Sequence, residues 1–150
     1  MGIAVVMTAA LITAGCGTHS GAPASPSPSR SAADHEFEDA AALASAITKQ
    51  GYGCKLETSS KNARASHGTC SLPVKTGEPI PVNLTVWGTT DDAATGIPAA
   101  IAFNRAVATN ETYLVAGRNW LIEFGTAQRA ATTVSDELGG VRMKLSPKTS

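Results

Sequence analysis

The chain lacks any concentration of charge and has few aromatic residues. Its 150 residues carry 12 basic and 12 acidic side chains, which cancel, and aromatics make up 5% of the total. No stretch gathers one sign, so the basic stripe that neutralises phosphates is missing and no nucleic-acid partner is expected. Long apolar runs are missing too. The longest, Ile3 to Ala14, is about 12 residues against the ~20 needed to cross a bilayer. Neither Cys-x-x-Cys nor a zinc-type spacing occurs among the three cysteines. His19, His35 and His67 have no Cys, Asp or Glu at metal-ligand spacing, so no metal and no other cofactor is expected. Gly-x-Ser-x-Gly, Ser-x-x-Lys and the phosphate-cradling Walker loop are all absent. Glu78, Asp91, Asp92, Glu111 and Glu123 are the carboxylates from which a glycoside-cleaving pair would have to come. They read more simply as solvated loop and strand-face charges.

What remains divides into three parts. Residues 1–15 are uncharged and apolar, 16–33 are polar and rich in Ser, Pro and Gly, and 34–150 have the patterning of one small domain. Within the last part, Phe37, Ala40, Ala41, Ala44 and Ile47 recur at helical spacing and Gly51 can stop the helix, predicting it over His35 to Gln50. Cys54–Thr58 and His67–Leu72 read as short strands flanking a polar loop. Val82, Leu84 and Val86 alternate with Asn83, Thr85 and Trp87, the period of a half-buried strand. After an expected turn at Gly88–Asp92, Pro98 suits the first turn of a second helix that ends near Ala108. Tyr113–Val115 and Trp120–Phe124 predict a hairpin, and Ala127 to Leu138 a last helix stopped by Gly139-Gly140. The expected class is α+β, in the order α-β-β-β-α-β-β-α. About five antiparallel strands and about three helices are expected, the helices on one face of the sheet.

Cys16 ends the run Leu-Ile-Thr-Ala-Gly-Cys behind the apolar stretch and opens the polar one. Small Ala14 and Gly15 leave the backbone open to a processing enzyme. This arrangement resembles the lipobox of bacterial lipoproteins. The resemblance implies a signal at 1–15, cleavage before Cys16 and acylation of its thiol, which would place the protein on the extracytoplasmic face of the cell membrane. Two or more acyl chains hold a protein firmly where one does so only marginally. Signals of this kind open on Lys or Arg, whereas the first basic residue here is Arg30, so a charged lead upstream of Met1 is expected. Residues 17–33 offer no large apolar side chain to order them and read as a tether. Abundant Ala, Thr and Gly with little Lys resemble actinobacterial lipoproteins. The segment Gly117 to Ile122 with the helix ending Leu138-Gly139-Gly140 is similar to small exported actinobacterial proteins of unknown function. In an exported chain Cys54 and Cys70 form an even remaining pair and predict a disulfide.

The clearest binding hint is the second face of the third strand, where Asn83 and Thr85 would stand beside Trp87. The leading expectation is a non-enzymatic, membrane-anchored binding domain for an envelope protein or cell-wall component. A cell-wall hydrolase or transferase and a small-ligand carrier are the alternatives. The triplets at Asn83 and Asn110 match a glycosylation pattern short enough to occur by chance. Replacing Cys16 with Ala should move the protein from the membrane to the soluble fraction with its circular dichroism unchanged. Retention on membranes would contradict the anchor.

Overall fold

The computed structural model describes residues 35–73 and 78–147; the expected signal, Cys16 and the expected tether lie outside the described residues. The elements are α1 (Ala40–Lys49), β1 (Lys55–Lys61), β2 (Ala65–Leu72), β3 (Ile80–Trp87), α2 (Thr90–Val107), β4 (Thr112–Ala116), β5 (Trp120–Glu123), α3 (Gln128–Leu138) and β6 (Val141–Leu145). The six strands form one antiparallel sheet in the order β1-β2-β3-β5-β4-β6. The α+β class and the predicted element order are therefore found, with one strand more than expected.

Two helices cover one face. Ala40, Leu43, Ala44 and Ile47 of α1 and Ala131, Val134 and Leu138 of α3 pack on Val82, Leu84, Val86, Val115, Trp120, Ile122 and Phe124. The third helix departs from the expectation of a one-sided arrangement. Ala93 of α2, with Ile97, Ala100 and Ile101, packs on Trp87, Leu114, Leu121 and Leu145 from the opposite side. The cause lies in β4 and β5, whose Tyr-Leu-Val-Ala and Trp-Leu-Ile runs are buried without alternation. Strands apolar on both sides need cover on both sides.

Local chemistry sets the helix ends. Helix α1 begins at Ala40 rather than His35, because the Asp39 carboxylate accepts from the Ala42 amide at 2.8 Å and so caps it. At its far end Gly51 takes φ 89°, the left-handed turn expected of it. Helix α2 begins eight residues before Pro98. Thr89 Oγ1 accepts from the Asp92 amide at 3.0 Å and donates to the Asp92 carboxylate at 2.7 Å, so the expected turn is a cap and a first helical turn. Pro98 is accommodated in the helix interior. The carbonyl it leaves without a donor belongs to exposed Ala94, where water can bond to it. Strands β1 and β2 run further toward each other than expected, since Asn62 Oδ1 accepts from the amides of Arg64 and Ala65, both at 2.8 Å, and turns the hairpin tightly.

The disulfide joins Cys54 to Cys70, with Cα atoms 5.3 Å apart and a sequence separation of 16. Both cysteines are buried beneath α1, and closing a loop of this length contributes ~3 kcal/mol. At the opposite edge, Lys144 of β6 donates to Glu111 at 2.6 Å. That bond holds the Glu111 carboxyl below the usual carboxylate range and the Lys144 ammonium above the usual lysine range. This small surface contribution is therefore present at neutral pH. It is lost only as acid passes the lowered Glu111 pKa or alkali the raised Lys144 pKa.

Residues ahead of α1 are sewn to the sheet through Asn119. Its Oδ1 accepts from the Phe37 amide at 3.0 Å, and its Nδ2 donates to the carbonyls of Phe37 at 2.8 Å and Trp87 at 3.0 Å. Trp120 Nε1 donates to the His35 carbonyl at 2.9 Å, and its ring meets Phe37 edge-on with centroids 5.9 Å apart. Truncating Asn119 to Ala removes the partners of three backbone groups around a buried site, so urea denaturation should report a loss of about 2–3 kcal/mol. Glu137→Ala on the exposed outer side of α3 should stay within about 0.5 kcal/mol.

Candidate functional site

Helix α2 covers only part of its face of the sheet. It packs along β3 and β5, and strands β1, β2 and most of β3 lie open on that side. The open area carries two cross-strand rows set by the ladder. One runs Thr58–Thr69–Asn83–Glu123 and the next Ser60–His67–Thr85, each residue directly opposite its neighbour. Together they floor a shallow concavity of about 290 Å³.

Three of the neighbouring pairs in these rows are bonded to each other. Thr58 and Thr69 share a hydroxyl hydrogen bond of 2.6 Å, and His67 Nδ1 lies 3.2 Å from Thr85 Oγ1. Asn83 donates to one Glu123 oxygen at 3.3 Å, and Asn104 of α2 donates to the other at 2.9 Å. These side chains are therefore held in place before anything binds, and both oxygens of the single carboxylate are engaged.

Thr58 belongs to the floor because the strand is irregular. Leu56 and Thr58 are two residues apart and would share a face in a regular strand. A bulge between them leaves Leu56 packed toward the α1 core, opposite Cys70, and turns Thr58 to the far side, opposite Thr69. Edge strands are where such bulges re-aim a side chain.

Of the three residues expected on this face, Asn83 and Thr85 line the floor. Trp87 points the same way but is 7% exposed, because α2 lies over it. A Cβ at Gly96 would collide with the Trp87 indole, so the helix can approach this closely only where the residue is glycine. Ser60, His67, Thr69 and Glu123 join the site through register, and Thr58 through the bulge. Alternation in β2 would have placed His67 and Thr69 together, but their pairing with β3 was not legible without the ladder.

The other carboxylates are elsewhere. Asp92, in the first turn of α2, accepts from the Thr89 cap and lies 3.8 Å from Arg64, whereas Glu123 meets the same helix at Asn104. Twelve residues of helix separate those two points, ~18 Å along its axis. Paired carboxylates in glycoside cleavage stand about 5–9.5 Å apart. Glu111 is engaged by Lys144 and Tyr113. Among the described residues, no three His, Cys, Asp or Glu side chains cluster as metal ligands. Between the start of α3, Tyr52 and the ends of β2 and β3 lies a mostly apolar cleft of about 230 Å³, walled by Tyr52, Leu72, Pro73, Ile80, Ala127 and Ala130 with Arg129 beside them. No family model, curated protein or solved structure matches the chain.

Proposed function

We propose that this chain is an exported lipoprotein, held on the outer face of the cell membrane by lipid on Cys16. In this reading its single α+β domain is a non-catalytic binding module for a component of the cell envelope. The observation that carries it is the half-covered sheet. Helix α2 protects the apolar part of its face and leaves the two bonded polar rows, with Asn83 and Thr85 among them, open to a partner.

Two further features support the reading. A buried disulfide fits an oxidising compartment outside the cytoplasm. The chain also enters the domain beside Asn119 and Trp87, at the end of the sheet where β3 stops, while the two rows lie further along the strands. Entry at that end keeps the lead into α1 off the floor.

The test places a diazirine-bearing amino acid at position 83 or, as a control, at exposed Glu137 on α3 in cells making the full-length protein. Irradiation should give a discrete adduct from position 83 and none from 137. Equal labelling at both positions, or none at 83, would contradict a binding face on the β1–β3 floor.

A further inference from the structure

The proposed binding face also carries information about the kind of ligand it takes. Resting on that reading, we infer that the floor binds a neutral, polyhydroxylated ligand, a glycan segment laid across β1, β2 and β3 with one sugar against Phe103.

Charge comes first. Among the described residues, no lysine or arginine lines the concavity, and the only carboxylate there, Glu123, is already bonded through both oxygens. An anionic polymer would meet a carboxylate and find no lysine or arginine among the lining residues, and a cationic peptide would have to displace Asn83 or Asn104 from Glu123. An apolar ligand would strip water from hydroxyls and amides without replacing those hydrogen bonds. A sugar hydroxyl is both donor and acceptor, and so are the threonine hydroxyls and the asparagine amide that make up most of the floor. Their positions are already fixed by the bonds along each row, so little ordering remains to be done on binding.

The lip of the floor supplies the second element. Helix α2 bears Phe103 and Val107, which are 66% and 54% exposed, although both are large and apolar. At 100° per residue they fall on the same flank of α2 as Asp92 and Gly96. Asp92 reaches Arg64 of the β1–β2 turn and Gly96 meets Trp87 of β3, so this is the flank turned toward the open strands. Asn104, the next residue after Phe103, bonds Glu123, which sets Phe103 level with the Thr58–Thr69–Asn83 row. A pyranose ring presents hydroxyls at its edge and C–H groups on its face. The negative face of an aromatic ring attracts those C–H groups, so an exposed phenyl beside hydrogen-bonding side chains matches both aspects of one sugar.

The experiment is a ¹⁵N heteronuclear titration of the full-length protein in detergent with N-acetylchitotetraose, cellotetraose and isomaltotetraose, and with inorganic polyphosphate as the charged control. At least one neutral tetrasaccharide should give saturable shifts centred on Thr58, Thr69, Asn83 and Thr85, and polyphosphate none there. Thr85→Lys should weaken that binding about tenfold or more, and Phe103→Ser, on an exposed position, about fivefold. If none of the three glycans shifts the floor while position 83 still cross-links in cells, the glycan assignment is overturned and the binding face stands. Polyphosphate shifts on the floor would likewise overturn it. Loss of the cross-link itself would remove the binding-face reading on which this inference rests.

Discussion

Everything in this domain meets at one buried amide. Asn119 is 6% exposed, and all three hydrogen-bonding positions of its side chain that protein groups occupy go to backbone, two on Phe37 and one on Trp87. Its own carbonyl accepts from the Trp87 amide at 2.8 Å. A polar group this deep is tolerable only when fully bonded. Asn119 therefore fixes the lead into α1, the end of β3 and the β4–β5 turn relative to one another. Ser66 adds a further tie, its hydroxyl accepting from the Ala40 amide at 3.1 Å. The start of α1 is placed by these bonds as much as by its own cap.

The position of Trp87 links that seam to the open floor. Because Asn119 holds the end of β3 from one side, Trp87 is presented on the other, where α2 comes down on it through Gly96. A helix seated there runs back along β3 and β5 and shields Leu114 and Leu121. Its cover stops at Ala65 on β2 and does not reach β1, and the side chains beyond it, Thr58, Ser60, His67 and Thr69, are polar rather than aliphatic. The boundary between covered and open sheet thus follows the boundary between apolar and polar side chains. The binding face proposed here is the part of the sheet that needed no cover.

Much of this was legible from residue order. Val82, Leu84 and Val86 announce the core side of β3, Ala131, Val134 and Leu138 the stripe of α3, and Cys54 and Cys70 their bond. The final strand was also signalled, since Val141, Met143 and Leu145 alternate with Arg142 and Lys144, but at only five residues it follows Gly139-Gly140 and passes for a tail. Helix α2 was harder. Pro98 looks like a beginning, whereas the Thr89–Asp92 cap had already started the helix. Its placement on the second face was readable only from the unbroken apolar runs of β4 and β5. For the site, Asn83 and Thr85 could be found by alternation alone. Thr58 could not, because a bulge changes the parity of a strand without any residue type that demands it. Glu123 reaches the floor through pairing between β3 and β5, strands separated in sequence by α2 and β4, and such pairing is decided by the whole sheet.

The central claim is that the β1–β3 floor is occupied where the protein works. Hydrogen–deuterium exchange read by mass spectrometry, on intact envelopes and on the same full-length protein purified in detergent, tests this directly. The account predicts added protection in envelopes confined to peptides covering Thr58–Thr69 and Asn83–Thr85, with α3 exchanging alike in both. Equal exchange across the floor in the two states, or added protection on α3 instead, would contradict it.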